Sequence, residues 1–476
     1  MAGNRRWWLP SLTAWLWLML VAILLTEPWR TVLISADGDP LMHWACGEWM
    51  LAHRQLLDRD VFSQTHAGAP IISKEWLAQL VFAVGGRAGG LLGVAVVGAL
   101  LAATTFALLH RHLLRSGEDL LVATGVTVLA AWAASAHWIA RPHLFTLLLL
   151  VAWNAELRRA TSRRLYWVLP VLTALWVNLH GGFLAGLITL GCYGLGALFA
   201  RDWPRLRTLT VSGVLCAVAS LANPSGYRLH GHNLAFVRND FFTGWLKEYA
   251  APNFHLPDFT GFLVLLLVLL LVLTRLRPVL SATEIVLLAV WGYFALYSGR
   301  NVPLFAIVAA PVLAAPLSAA LPAGWRARAQ RWAEFRGGWP VVVALAAGVV
   351  ALVPRPLQVP PDKFPVEAVQ FIRDNPAEFT GPMLNQYVWG GYLLVALPQH
   401  KVFIDGRADF YGEEHVRDFD AIAALAPDWR ERLARHEIAW TLFPREHRLN
   451  SALELMPAEW ERVYADETAT IYRRRR

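Results

Sequence analysis

The chain has 476 residues, of which 56% are hydrophobic and only 16% are charged, and its mean hydropathy is +0.40. This composition excludes an ordinary soluble protein and is typical of an integral membrane protein. The net charge of +8 does not indicate nucleic acid, because the excess arginines lie in short loops beside apolar stretches, where anionic lipid headgroups attract them. We therefore expect membrane lipids as partners and no nucleic acid.

In chain order, the apolar stretches predict a polytopic α-helical membrane protein with about eleven transmembrane helices, each able to cross ~30 Å of hydrocarbon. The predicted spans are residues 8–26, 88–109, 119–137, 142–157, 165–180, 182–200, 207–222, 259–274, 283–298, 302–321 and 338–354. Arginine-rich segments alternate with loops that hold other polar motifs. These arginine clusters lie at residues 5–6, 111–115, 158–164, 201–207, 275–277 and 326–336. Because short arginine-rich loops stay cytoplasmic, the N-terminus is predicted to be cytoplasmic and the motif-bearing loops extracytoplasmic.

Three pieces lie outside the predicted spans: a first outer loop at 35–86, a second at 223–258, and a tail at 355–476. Apolar residues at helical spacing in the first loop predict helices along the membrane interface. A helical pattern at 366–373 and two short apolar runs bounded by turn residues, at 392–397 and 401–404, give alternating helix and strand signals. These signals predict a small extracytoplasmic α/β domain. Residues 1–354 then form the transmembrane domain. The three cysteines, Cys46, Cys192 and Cys216, are isolated and indicate neither a disulfide framework nor a cysteine-ligated metal site.

Asp37 and Asp39 follow the first predicted span, at the membrane surface. Two carboxylates at this spacing can coordinate a hard divalent cation, or one can act as a base while the other orients it. Acidic residues at a helix start are also common N-caps, which is the alternative interpretation. Mg²⁺ or Mn²⁺ held by Asp37 and Asp39 is therefore a candidate cofactor.

Basic side chains occur in the other motif-bearing loops. Arg300 lies in a loop of a few residues between two spans, where an unpaired guanidinium is costly and a phosphate is a good partner. A structural ion pair with an aspartate of the first loop is the alternative. His180 precedes Gly181 and Gly182, and Arg141 and His143 lie at the start of another span. These three side chains could bind an anion, and a structural role at a helix end is the alternative. Few ionisable groups lie within the spans, which weakens a transporter interpretation.

Several strings across nearly the whole chain carry a family resemblance. They are Asp39-Pro-Leu-Met-His43-Trp44, Asp60-Val-Phe-Ser63, Lys74-Glu-Trp-Leu77, Arg141-Pro-His143, Asn178-Leu-His-Gly-Gly182, Asn223-Pro, Arg300-Asn-Val-Pro303, Trp389-Gly-Gly-Tyr392 and Phe403-Ile-Asp-Gly-Arg407. With the layout of spans and outer loops, they resemble the GT-C class of membrane glycosyltransferases, and more closely a bacterial family described as mannosyltransferase-like. The stretch Lys74-Glu75-Trp76 departs from related enzymes, which often have two prolines after the lysine.

This resemblance implies a GT-C-like fold and an inverting glycosyltransferase of the bacterial cytoplasmic membrane that uses a lipid-linked sugar donor. Asp39 would be the base, with Asp37 as the second carboxylate, and the acceptor would be a glycan, a lipid or a protein. The donor phosphate would be bound by Arg300, Arg141, His180, His143 and Lys74. Two alternatives stay open: a non-catalytic exporter or assembly partner that keeps the fold, and a ligase that transfers a preassembled glycan from a diphosphate lipid.

Overall fold

Helices make up the first part of the chain in the computed structural model, which describes residues 10–159, 162–322, 325, 338–354 and 356–475. They are α1 (Leu12–Leu24), α2 (Trp29–Ser35), α3 (Asp39–His53), α4 (Trp76–Arg115), α5 (Leu120–Ala134), α6 (His143–Arg159), α7 (Ser162–Leu179), α8 (Phe183–Phe199), α9 (Trp203–Ala219), α10 (Tyr227–Val237), α11 (Asp240–Trp245), α12 (Thr260–Leu276), α13 (Ala282–Tyr297), α14 (Val302–Ala320) and α15 (Trp339–Leu352). The arginines predicted to be cytoplasmic at 5–6 and 326–336 lie outside the described residues.

A helix lies at each predicted span. Four segments are long and apolar enough to cross a bilayer by themselves: Trp76–Arg115, Leu120–His137, Pro257–Leu276 and Gly299–Ala320. The pair α1 and α2, bent by 72°, is a fifth candidate, and α8, α13 and α15 are apolar but shorter. The apolar helical architecture expected from the sequence is therefore present, whereas the number of spans stays a prediction.

The central helix of the bundle is α14, whose residues are buried without interruption from Val302 to Ala314. It packs against α5 and α13. A helix that is apolar all round is stable only when neighbouring helices or lipid surround it. Because Arg300 lies in the short turn that precedes α14, the bundle core fixes the position of its backbone.

The segment predicted as the first outer loop ends earlier than predicted, because α4 already begins at Trp76 and continues through the second predicted span. A kink at Gly89 and Gly90 divides this helix of 40 residues, and Gly90 has a φ of 58°. Glycine adopts that backbone conformation without steric cost, so the chain bends there without ending the helix. The apolar residues from Trp76 to Val81 are therefore the first turns of α4.

The C-terminal region, residues 356–475, combines helices with a mixed sheet. Its elements are α16 (Val366–Asp374), β1 (Met383–Asn385), α17 (Gly390–Ala396), α18 (Ala408–Ala424), α19 (Trp429–Arg435), β2 (Trp440–Pro444), α20 (Arg448–Glu454), β3 (Trp460–Ala465) and β4 (Ala469–Arg474). The strand order is β1-β2-β4-β3, with β1 and β2 parallel and the other pairs antiparallel.

Two sequence expectations for this region need correction. The apolar run at 392–397 lies mostly in helix α17 and not in a strand, and the run at 401–404 makes only a single bridge, between Val402 and Ser63. Apolar runs this short have no periodicity that separates a helix from a strand. The helical pattern at 366–373 correctly predicted α16.

The C-terminal region packs directly on the first loop, between α2 and α4. Leu41, Met42, Cys46 and Met50 of α3 are buried in one apolar cluster with C-terminal residues, so this face of α3 is covered by protein, where we had expected the membrane interface. A buried ion pair adds to the contact, since Nη1 of Arg407 lies 2.8 Å from Oδ1 of Asp60. The C-terminal region therefore holds the segment that carries Asp37 and Asp39.

Candidate functional site

Asp37 and Asp39 lie at the junction between the bent α1–α2 pair and α3. Asp39 is the first residue of α3, and its backbone N–H donates a hydrogen bond of 3.0 Å to Oδ1 of Asp37. Negative charge is favourable at a helix start, because the backbone N–H groups there are unpaired. Asp37 thus has part of the capping role that was the alternative interpretation, but both carboxylates also have a charged partner.

That partner is Arg141, which precedes α6. Its Nη2 lies 3.0 Å from Oδ2 of Asp39 and also contacts Oδ2 of Asp37, while its Nη1 lies 3.3 Å from Oε2 of Glu248. The buried Nε of Arg141 has no hydrogen-bond partner. Three carboxylates from two loops therefore surround one guanidinium.

Arg300 joins the same group through Glu248. Its Nη1 lies 3.4 Å from Oε1 of Glu248, and its guanidinium lies 4.3 Å from the centre of the Tyr249 ring. The structure does not contain the alternative ion pair of Arg300 with an aspartate of the first loop, because the partner of Arg300 is Glu248 of the second loop. We call these five residues the Arg141 cluster: Asp37, Asp39, Arg141, Glu248 and Arg300.

The pKa values of two carboxylates in the Arg141 cluster are shifted in opposite directions. Burial raises the pKa of Asp39 to about 8, with the charges of Asp37 and Glu248 adding to the rise and Arg141 opposing it. Burial alone would also raise the pKa of Glu248, but Arg300 and Arg141 hold it at about 2. Carboxyl groups whose pKa values are pushed apart can divide the roles of proton acceptor and permanent anion.

A second group of polar side chains lies next to this cluster, where α3, the start of α4 and the end of α7 meet. Oε1 of Glu75 is 3.5 Å from Nε2 of His180, and its Oε2 is 4.0 Å from Nδ1 of His43. Burial raises the pKa of Glu75 and lowers that of His43 well below the ordinary value. We call these three residues the Glu75 group. His43 is one helical turn from Asp39 on α3, so the group and the cluster are adjacent.

The remaining predicted phosphate ligands have protein partners. Nζ of Lys74 lies 2.5 Å from Oδ2 of Asp409, which Nε2 of His232 also contacts at 2.8 Å. Burial opposes the charge on Lys74, but Asp409 and Glu75 raise its pKa. Nε2 of His143 donates to the carbonyl oxygen of His137 at 2.7 Å, and its ring centre is 6.5 Å from that of His180.

Residues that the sequence analysis did not select come from the second loop and the C-terminal region. Glu248 and His232 had no motif around them, and Asp409 lies 335 positions from Lys74. Gly406 is so close to Asp39 that a Cβ atom on it would lie 1.9 Å from Oδ1 of that aspartate. The turn Asp405-Gly-Arg407 combines two roles. Arg407 is structural, through its pairs with Asp405 and Asp60, whereas Gly406 touches the candidate base.

The donor set around Asp37 and Asp39 does not form a ready metal site. Among the residues that the structure describes, no group of three His, Cys, Asp or Glu side chains is placed to hold a metal ion. The guanidinium of Arg141 lies between the two carboxylates, where a shared cation would have to bind. A divalent cation at this position would have to displace Arg141.

Comparisons with solved structures find the same fold. The structure of ArnT from Cupriavidus metallidurans bound to undecaprenyl phosphate matches with a TM-score of 0.55 and 18% identity, over 97% of this chain and 98% of that chain. The Archaeoglobus fulgidus oligosaccharyltransferase AglB, in complex with an inhibitory peptide and a dolichol-phosphate, matches with a TM-score of 0.56 and 12% identity, over 94% and 70% of the two chains. Neither a scan of protein-family models nor a search of curated proteins finds a match. The chain therefore has the fold of the GT-C membrane glycosyltransferases.

Proposed function

We propose that the protein is an inverting glycosyltransferase that moves a sugar from a polyprenyl-phosphate donor to an acceptor outside the cytoplasm. The observation that carries this proposal is the Arg141 cluster within a GT-C fold: Arg141 pairs with both first-loop carboxylates, and Glu248 links it to Arg300. The solved structures support the donor class, because one contains undecaprenyl phosphate and another a dolichol-phosphate. The acceptor is a hydroxyl-bearing glycan, lipid or protein.

Asp39 is the base in this proposal. The acceptor hydroxyl attacks the anomeric carbon, the bond from that carbon to the phosphate oxygen breaks, and the hydroxyl proton moves to Asp39. A base is most effective when its pKa is near the working pH, and the pKa of Asp39 is about 8. Arg141 holds Oδ2 of Asp39, which leaves Oδ1 to accept the proton. Asp37 orients the start of α3 and keeps the pKa of Asp39 high.

Arg300 is the principal phosphate ligand. It contacts one carboxylate, that of Glu248, and about a third of its side chain is exposed, whereas Arg141 contacts three carboxylates. A phosphate that binds Arg300 displaces Glu248, which keeps its contact with Arg141. The departing phosphate gains negative charge, so the guanidinium stabilises the transition state more than the ground state. Lys74 and His143 have weaker roles in binding the phosphate, because Asp409 and the carbonyl oxygen of His137 already engage them. His180 also has a weaker role in binding the phosphate, because the neighbouring carboxylate of Glu75 disfavours an anion.

The divalent cation remains a prediction. Dialysis against EDTA followed by addition of Mg²⁺ or Mn²⁺ tests it, because a required cation gives activity that is lost and then restored. Activity that survives EDTA unchanged would contradict the requirement. In that case the guanidinium of Arg141, and not a metal ion, would neutralise the charges of Asp37 and Asp39.

The proposed location is the outer face of a bacterial cytoplasmic membrane, with a cytoplasmic N-terminus and the predicted domain at 355–476 outside. All three native cysteines are buried, so an introduced surface cysteine can be labelled with little background. We expect an impermeant maleimide to label Ala67→Cys in the first loop of intact cells, and Ser116→Cys beside an arginine cluster only after lysis. The reverse pattern would contradict the proposed sidedness.

The function is tested with the purified protein in nanodiscs and a panel of undecaprenyl-phosphate hexoses and pentoses, with mass spectrometry to follow loss of each donor. We expect consumption of at least one donor, and Asp39→Asn to lower the rate ~10²- to 10⁴-fold, the usual contribution of a general base. Asp58→Asn is the matched control, because this exposed aspartate lies in the same loop. No donor consumed, or equal rates for Asp39→Asn and wild type, would favour the exporter or assembly partner.

A further inference from the structure

The Glu75 group presents a carboxylate that lacks a cationic partner. Among the described lysines and arginines, none lies within ion-pairing distance of Glu75, and the neighbouring Lys74 points to Asp409. Its oxygens face His180 at 3.5 Å and His43 at 4.0 Å. These distances are longer than good hydrogen bonds, so the oxygens of Glu75 can accept hydrogen bonds from a ligand.

The hydrogen bonds around His180 determine which of its ring nitrogens carries the proton. The backbone N–H of Gly182 donates to Nδ1 at 3.0 Å. Nε1 of Trp176 donates to Oγ1 of Thr146 at 2.9 Å, and that oxygen lies 2.8 Å from the same Nδ1. Because the backbone N–H of Gly182 makes Nδ1 an acceptor, this nitrogen carries no proton, and the hydroxyl of Thr146 must be the donor in its contact with Nδ1. Nδ1 thus accepts two hydrogen bonds, and Nε2 of the neutral ring carries the proton.

The packing at Gly182 preserves this arrangement. A Cβ atom there would lie 2.3 Å from Oγ1 of Thr146 and 2.6 Å from Nδ1 of His180. Only glycine lets the backbone N–H approach the ring this closely. The Asn178-Leu-His-Gly-Gly182 string therefore has a physical explanation in the orientation of the imidazole.

A protonated Nε2 restricts the ligands that the Glu75 group can bind. A metal needs an unprotonated nitrogen, and a ligating histidine normally donates its other N–H to an acceptor, whereas Nδ1 of His180 is itself an acceptor here. The adjacent carboxylate disfavours a phosphate. A hydroxyl group fits, because it can accept a hydrogen bond from Nε2 of His180 and donate one to Glu75.

We propose that Glu75, His43 and His180 form a subsite for the hydroxyl groups of the donor sugar, with Thr146 and Trp176 as positioning residues for His180. This inference rests on the proposed function. Its place supports it, because His43 lies one helical turn from Asp39 on α3 and the subsite is thus beside the reacting carbon. The phosphate binds Arg300, and the sugar ring extends toward the Glu75 group.

The test compares the affinity of the full-length protein in nanodiscs for undecaprenyl phosphate with that for the undecaprenyl-phosphate sugar that wild type binds most tightly. We expect Glu75→Gln to weaken binding of the sugar lipid ~10-fold or more and Thr146→Val to weaken it ~3- to 10-fold, as loss of a charged and a neutral hydrogen bond would do. Both variants should bind undecaprenyl phosphate within about twofold of wild type. Thr146→Ser should retain wild-type affinity, because it keeps the hydroxyl.

The chain offers a matched control in Thr189. It is a buried threonine that accepts a hydrogen bond of 3.2 Å from Nε1 of Trp291 and has no histidine partner. Thr189→Val should therefore bind both lipids like wild type.

Three results would overturn the subsite alone: unchanged affinities in Glu75→Gln and Thr146→Val, equal losses for the two lipids, or a loss in Thr189→Val as large as that in Thr146→Val. If wild type binds no sugar lipid more tightly than undecaprenyl phosphate, the sugar-transfer proposal fails and the subsite fails with it. The two failures are thus distinguishable.

Discussion

Gly406→Ala tests whether the C-terminal region positions the candidate base. The new Cβ atom would lie 1.9 Å from Oδ1 of Asp39, while ordinary contact begins at 3.4 Å, so the carboxylate must move by about 1.5 Å. The other close atoms, Cγ at 2.9 Å and Oδ2 at 3.5 Å, also belong to Asp39. Because the end of a side chain can move without the backbone, we expect the fold to survive and the geometry of the base to be lost.

A displacement of ~1 Å in a reacting group costs on the order of 10²-fold in rate, which is about 2.7 kcal/mol of activation free energy. We therefore expect kcat of Gly406→Ala to fall at least ~100-fold. Its melting temperature should stay within about 2 °C of wild type, since a change below ~1 kcal/mol shifts the melting temperature of a large domain by a few degrees. Affinity for undecaprenyl phosphate should be unchanged, because Asp39 is not a phosphate ligand.

The assay is steady-state consumption of the donor identified in the panel, with thermal unfolding measured on the same preparations. Gly191→Ala in α8 is the control, because a Cβ atom there has nothing within 4 Å. A wild-type kcat in Gly406→Ala would refute the reasoning that contact with the C-terminal region sets the position of Asp39. Equal losses in both variants would refute it as well, since the effect would then not be specific to the Asp39 contact.

Three further predictions concern charged groups. Only ionised Asp39 accepts a proton, so kcat should rise with pH up to and through about 8, and Asp37→Asn should move this limb to lower pH; a flat profile between pH 6 and pH 9 would exclude Asp39 as the base. Glu248→Gln should tighten binding of undecaprenyl phosphate ~10-fold, because the carboxylate that competes for Arg300 is removed, and weaker binding in a titration would contradict that competition. Arg407→Ala should lower the free energy of unfolding by roughly 3–5 kcal/mol, since it leaves two buried aspartates unpaired. Thermal unfolding checks this against the exposed pair of Arg87 with Glu48, where Arg87→Ala should have little effect.

Hydropathy and length were sufficient to place the helices of the bundle. Each apolar stretch longer than a buried strand must satisfy its backbone hydrogen bonds internally, and a helix does this with local contacts only. A helix accordingly lies at every predicted span, from Leu12–Leu24 to Trp339–Leu352. The prediction of a strand at 392–397 was wrong, because a run of six apolar residues is too short to show whether its period is that of a helix or a strand.

The sequence also identified most of the polar segments that meet at the site. Asp37, Asp39, Arg141 and Arg300 stood out because charged groups beside apolar spans are costly without partners. Their roles could not be read in the same way. Arg141 was expected to bind phosphate, yet three carboxylates already surround it, and the ion pair of Arg300 is with Glu248 and not with the first loop.

What the sequence alone determined is thus the apolar helices, the order of the polar loops between them and the residues able to do chemistry, because these depend on local composition and period. Only the tertiary structure decided which charges pair, which tautomer His180 adopts and how closely Gly406 approaches Asp39. Those properties depend on distances of a few ångströms between residues that are tens to hundreds of positions apart. No local pattern encodes such distances, since they result from the packing of the whole bundle against the C-terminal region.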